Sequence, residues 1–208
     1  EGQRLALVQA NPSRAVPLDT RPVPHSMSAP VPGVVLVAEP PMADPNFRRT
    51  VVLLCEHTTE GSFGLVLNRP TGLTLGEATD EALGFDADLW MGGPVQPDTL
   101  HYLHPFSDLT GTLPVLDDVF WGGDFEALQA AIDAGSVDPA RVRFFVGYSG
   151  GGPGQLDAEV DEGAWIVLPG SRDLVFADGD DAVWRQVLRQ LGGEYALLST
   201  FPDDPRLN

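Results

Sequence analysis

From Gly33 onward, apolar residues come in short runs whose spacing alternates between a period of two and a period of three to four. Runs over 34–38, 50–57 and 63–68 read as strands, the last two joined as a hairpin through the turn at 58–62. Short strands follow at 89–91 and 100–103, on either side of Gly92-Gly93-Pro94. Further strands are predicted at 113–121, 141–148 and 165–168. Helical spacing predicts 75–83, with Thr74 as N-cap, and 125–134, with Asp124 as N-cap and Gly135 as the stop. It also predicts 155–162 and 181–191, the latter placing Val183, Trp184, Val187, Leu188 and Leu191 on one face. Residues 196–201 close the pattern. Interleaved strands and helices together with hairpins predict an α/β fold: one compact domain with a mixed sheet flanked by helices.

Residues 1–32 differ. Pro12, Pro17, Pro22, Pro24, Pro30 and Pro32 interrupt any regular element, which predicts an N-terminal extension over 1–32 and a domain over 33–208. Apolar runs fall far short of the roughly 20 residues that span a bilayer. The N-terminus lacks the basic-then-apolar order of a signal peptide. The expectation is a cytoplasmic protein with no membrane partner.

Charge narrows the partners. Thirty acidic residues face 12 basic ones, all of them Arg, for a net charge of −18. Such a surface repels phosphate backbones, so no direct nucleic-acid binding is expected. Self-repulsion of this size also predicts stabilisation by salt, as in a high-salt cytosol. The lone cysteine, Cys55, excludes an internal disulfide and a Cys-rich zinc site.

Chemistry concentrates in 147–156, a glycine-rich segment between a predicted strand and helix. Gly147-Tyr148-Ser149-Gly150-Gly151 fits the nucleophile-elbow pattern G-x-S-x-G. All four histidines, at 25, 57, 101 and 104, precede Ser149, so the chain order of α/β-hydrolases is excluded. A convergent triad with an upstream histidine stays open. Backbone N–H groups of 150–154 could cradle an anion, but neither nucleotide-binding fingerprint is complete. A tight structural crossover is the third reading. Cys55 and His57, two apart on one strand, are expected to share a face, as a thiolate pair or as packing. His101 and His104 have no recognised ligand spacing, so neither a metal nor a cofactor is predicted. Asp117-Asp118, Asp180-Asp181 and Asp203-Asp204 read as solvated surface. Arg48-Arg49 and the Arg141/Arg143 pair are too sparse for a nucleic-acid groove. No catalytic residue is assigned.

Several segments together resemble a known family. They are Gly33-Val34-Val35-Leu36-Val37-Ala38-Glu39-Pro40; Asp44-Pro45-Asn46-Phe47 with Cys55-Glu56-His57; and Gly64-Leu65-Val66-Leu67-Asn68-Arg69-Pro70. Gly92-Gly93-Pro94-Val95, Leu103-His104, Gly147-Tyr148-Ser149-Gly150 and Pro153-Gly154-Gln155-Leu156 continue the series, with Glu159 and Trp165 behind them. In this order they are similar to the bacterial YqgE/AlgH family, from about Gly33 to Pro202. The resemblance implies a compact mixed α/β fold with a barrel-like sheet, and a cytosolic protein. It implies no established reaction, and the family name carries an expectation of transcriptional control. The reading that follows is a non-enzymatic regulatory or interaction protein with an unknown protein partner. The alternative is an enzyme or a binder of small ligands or anions near 147–156. Its candidate residues are His57, Asn68, Arg69, His104, Tyr148, Ser149 and Gln155, provided the fold converges them. One departure stands out: Gly151 occupies a position where the resemblance implies Trp.

Overall fold

The computed structural model describes residues 29–78 and 84–201. The expected extension over 1–32 lies almost wholly outside the described residues, as do the second half of the predicted helix 75–83 and Asp203-Asp204.

The chain builds one mixed sheet. Strands β1 (Val34–Ala38), β2 (Val51–Thr58), β3 (Gly61–Val66), β4 (Pro70–Thr74) and β5 (Asp88–Met91) come first; the short helix α1 (Leu75–Ala78) follows β4. Then come β6 (Val95–His104), β7 (Leu113–Leu116), β8 (Val119–Trp121) and helix α2 (Phe125–Asp133). A 3-10 turn (Pro139–Arg141) leads into β9 (Arg143–Gly151), followed by α3 (Gln155–Asp161), β10 (Trp165–Pro169), α4 (Arg172–Val175), α5 (Asp181–Leu191) and α6 (Gly193–Leu198). The main path is β10-β1-β2-β3-β9-β6-β8-β7. Its neighbours pair antiparallel, whereas β5 joins β9 in parallel and β4 joins β5.

Strand β1 is buried at all five positions because both its faces are covered. Val35 and Val37 look into a core shared with Leu53, Leu65, Leu103, Phe145 and Ile166, roofed by Val183, Trp184, Val187 and Leu188 of α5. Val34, Leu36 and Ala38 look the other way, toward Phe47, Trp165 and Leu156 of α3. Each fully buried aliphatic side chain contributes about 1.5–3 kcal/mol. The helix-period stripe on 181–191 therefore acts as a lid, pinned by the Trp184 indole N–H donating to the Ala38 carbonyl at 2.8 Å. A third core, under α1 and α2, gathers Leu75, Leu89, Tyr102, Leu128, Ile132 and Phe144.

The sheet curls but does not close. Its edge strands β7 and β10 form no ladder with each other among the described residues, so the barrel implied by the resemblance is an open curl. A Cβ on Gly33 would lie 2.6 Å from the Val115 carbonyl oxygen, so this glycine lets β7 pass close to the chain entering β1.

Other expectations are corrected locally. The single strand over 113–121 is a hairpin, β7 and β8, turning at Asp117-Asp118, with Asp118 at φ 56°. Aspartate tolerates that left-handed conformation, and an adjacent pair of them marks the turn. Strands β4 and helices α4 and α6 add elements that the hydrophobic pattern did not predict. Asp124 does cap α2, accepting from the Ala127 N–H, and Gly135 follows its end at φ 71°.

Candidate functional site

Strand β9 is where the candidate chemistry meets the fold. Its first half pairs with β5 and β6, and its last three residues pair with β3. The change from β5 to β3 falls around Gly147, at φ 65°, while pairing with β6 reaches Tyr148. The glycine run predicted as a turn therefore continues as strand through Gly151, and the turn into α3 is only Gly152-Pro153-Gly154.

The glycines serve a close crossing of backbones. A Cβ on Gly92 would lie 2.3 Å from the Gly147 carbonyl oxygen; one on Gly93 would lie 2.3 Å from the Tyr148 carbonyl. Ser149 sits within this crossing, 1% exposed, donating its hydroxyl to the Gly92 carbonyl at 3.1 Å. No strand-to-helix elbow presents it, and among the described residues no histidine hydrogen-bonds to it. The G-x-S-x-G spacing is met in sequence but not in geometry, because the last two glycines lie in the ladder opposite Phe63 and Ser62.

The other candidates occupy separate places. Asn68 is fully buried; its side-chain oxygen accepts from Val51 N at 2.8 Å and its amide donates to the carbonyls of Arg49 and Asp180. Arg69 donates to the Arg48 carbonyl and faces Asp181 at 3.7 Å. His104, also fully buried, accepts from Phe106 N at Nδ1 and donates from Nε2 to the Gly122 carbonyl at 2.8 Å. Desolvation lowers its pKa, which fits a neutral ring with both nitrogens used. Tyr148 stacks on Phe63 at 4.7 Å, and Phe63 stacks on Trp121 at 4.3 Å, with His101 edge-on to Phe63 and Tyr148. Gln155 accepts from Gly152 N and donates to Glu159, whose other oxygen accepts from the Trp165 indole N–H at 2.9 Å. His57 meets the Ser62 hydroxyl at 2.8 Å through Nδ1 and Asp157 of α3 at 3.4 Å through Nε2.

The seven do not converge on one site: His57 and Gln155 come near α3, whereas Asn68 and Arg69 meet the 48–49 segment and the start of α5 at Asp180-Asp181. The Cys55–His57 pair also separates, against the expectation of a shared face. A β-bulge between Leu54 and Glu56 turns Cys55 into the inner core while His57 faces α3. Burial pushes the Cys55 thiol far above its ordinary range, away from thiolate chemistry. Among the described residues no three His, Cys, Asp or Glu side chains gather as a metal-binding group.

What the fold does assemble is an apolar cleft of about 280 Å³ beside the glycine crossing. Pro45, Val66, Met91, Pro94 and Pro97 line it, with Asn46 and Arg69 also in the lining. Arg69 is thus the one sequence candidate that reaches it. The other residues come from two loops and three strands, and no local pattern links them. Met91 among them is an apolar residue left 37% exposed at a strand end.

The profile of the AlgH-like family matches residues 35–196. A UPF0301 protein of Chlorobium limicola is 42% identical over 178 residues, covering 85% of this chain and 95% of that protein. The solution structure of the AlgH protein from Pseudomonas aeruginosa superposes with a TM-score of 0.66 at 34% identity, covering 86% of this chain and 99% of that one. A crystal structure of a Corynebacterium diphtheriae protein gives 0.69 at 26% identity, over 84% and 94% of the two chains. No helix among the described residues is long and apolar enough to cross a membrane. With a family profile over most of its length and relatives of this identity, the chain belongs to the AlgH-like family.

Proposed function

We propose that this protein is a non-enzymatic regulatory or interaction protein of the cytoplasm, and that it takes an apolar segment of a protein partner into the cleft beside Met91. The observation that carries this reading is a contrast. Asn68, His104, Ser149 and Gln155 are spent on internal hydrogen bonds, whereas Pro45, Val66, Met91, Pro94 and Pro97 share one cleft. Prolines lose little freedom on binding, so a lining rich in them is preorganised. Arg69 donates to the Arg48 carbonyl through Nη2 and faces Asp181 at 3.7 Å through Nη1, and a guanidinium has five N–H donors. It can therefore still anchor a carboxylate of the partner. The net charge of −18 opposes a strongly acidic partner and any nucleic acid. The fitting segment is apolar, with at most a single acid.

The same cleft supports a second reading, a small ligand with an apolar body and a carboxylate. Its volume lies just below the range usual for such pockets, which starts at about 300 Å³.

A photo-reactive residue at Met91, with a control at the exposed Leu113 of β7, tests the first reading in cells. One protein cross-linked from position 91 and not from 113, and lost when Arg69 is replaced by Glu, is the expected result. Indistinguishable cross-linking from both positions overturns it.

A further inference from the structure

A second cleft, of about 290 Å³, lies on a different part of the molecule, lined by Ala140, Arg141, Arg172, Asp173 and Phe176. Arginines dominate it in a chain with 30 acidic and 12 basic residues. Among the described residues neither Arg141 nor Arg172 forms an ion pair. Arg141 instead lies over the Phe106 ring, 5.0 Å from its centroid. Stacking occupies the face of a guanidinium and leaves its N–H edge for an anion.

The wall of this cleft is anchored from below. Arg143, 5% exposed, donates to the carbonyls of Val175 at 2.6 Å and Ala177 at 2.8 Å, the residues on either side of Phe176. A third bond reaches the Leu67 carbonyl at 2.8 Å, and the guanidinium packs 3.6 Å from the Trp90 ring centroid. Desolvation brings its pKa down to about 10, which leaves it charged at neutral pH. A buried cation therefore holds Phe176 in place while two exposed cations flank it. Two exposed cations thus line one cleft of an otherwise acidic chain, with Asp173 the acid beside them.

We propose that this cleft binds a phosphate monoester of a molecule that also bears a planar ring. Arg141 and Arg172 hold the dianion through charge-assisted hydrogen bonds, which guanidinium geometry favours. Phe176 takes the ring of the ligand against its own. Asp173, the acid in the lining, accepts from a hydroxyl or amine on the ligand body and disfavours a second anionic group. A nucleoside monophosphate and an aryl phosphate share this chemistry. The site is independent of the cleft beside Met91.

Calorimetric titration of the full chain tests it, at the lowest KCl concentration that keeps the protein folded. The probes are AMP, phenyl phosphate, inorganic phosphate and adenosine. Both monoesters are expected to bind, more tightly than inorganic phosphate, and adenosine is not. Tighter binding of AMP identifies the nucleotide source; tighter binding of phenyl phosphate identifies the aryl source. Arg141→Gln and Arg172→Gln, both at exposed positions, should each weaken binding about tenfold. Phe176→Ala should bring the monoesters to the level of inorganic phosphate. No binding of either monoester to the native chain overturns the proposal, as does unchanged affinity in the doubly substituted Arg141→Gln, Arg172→Gln protein. Amide shifts on AMP addition that map away from Arg141, Arg172 and Phe176 overturn it too.

Discussion

Gly93 and Gly147 pack backbone against backbone. A Cβ on Gly147 would lie 2.5 Å from the Gly93 carbonyl oxygen, and Gly93 has the same conflict with Tyr148. Both also have positive φ, 152° and 65°. Alanine at Gly147 therefore meets a steric clash and a backbone penalty together, and should cost about 2–4 kcal/mol. Gly154 is the control. Its φ is 66°, yet nothing lies within 4 Å of its missing Cβ, so Gly154→Ala should cost only about 1 kcal/mol. Urea midpoints of the two variants measure the difference; equal losses would show that the crossing is not tight.

Asn68 replaces a missing stretch of ladder where β2 begins. It accepts from Val51 N and donates to two carbonyls on other segments, all while fully buried. Asn68→Ala leaves a buried N–H without its acceptor and should cost about 2–3 kcal/mol. Asn68→Asp keeps the acceptor but turns the donor end into a charge facing the Arg49 and Asp180 carbonyls. It should be at least as damaging at neutral pH and recover in part in acid. Denaturant titrations at two pH values check both statements.

These two residues mark the limit of what the sequence discloses. Strands β1 and β2 and helix α5 are legible because each repeats one period over a run of apolar residues long enough to outweigh local exceptions. The glycine segment was misplaced because glycine locally signals a turn. Its real role depends on Gly92 and Gly93, more than fifty positions away. The bulge at Cys55 reverses a face assignment through one extra residue, which leaves no trace in composition. Arg143 reads only as half of a sparse Arg pair until the fold surrounds it with carbonyls and a Trp ring. Met91 belongs to a cleft whose lining is assembled from distant loops, so only the structure could find it.

The excess of acid should make stability depend on salt. A net charge of −18 on this chain repels itself, and ions at molar concentration shorten the range of that repulsion to about 3 Å. The melting temperature is expected to rise from low to molar KCl. Matching gains in KCl and NaCl would point to screening. A flat response would show that the acids are spaced widely enough not to matter, and would remove the argument for a high-salt setting.

Glu159 gives a pH dependence of the opposite sign to ordinary acid denaturation. The carboxyl is 1% exposed, and desolvation raises its pKa, partly offset by hydrogen bonds from Gln155 and Trp165. A carboxyl with a raised folded-state pKa binds its proton more tightly in the folded chain than in the unfolded one. Stability from this group is therefore fully present below the unfolded value, about 4.3, and declines as pH rises through the higher folded value. Most other carboxylates pull the total the other way in acid, so the test is a difference. Glu159→Gln resembles the protonated acid in shape and charge, and one of its two hydrogen bonds must weaken because an amide has a single acceptor oxygen. Relative to the native chain, the variant should gain stability as pH rises from about 4 toward neutrality. A constant difference across that range would mean that Glu159 titrates alike in both states and that its two hydrogen bonds cancel its burial.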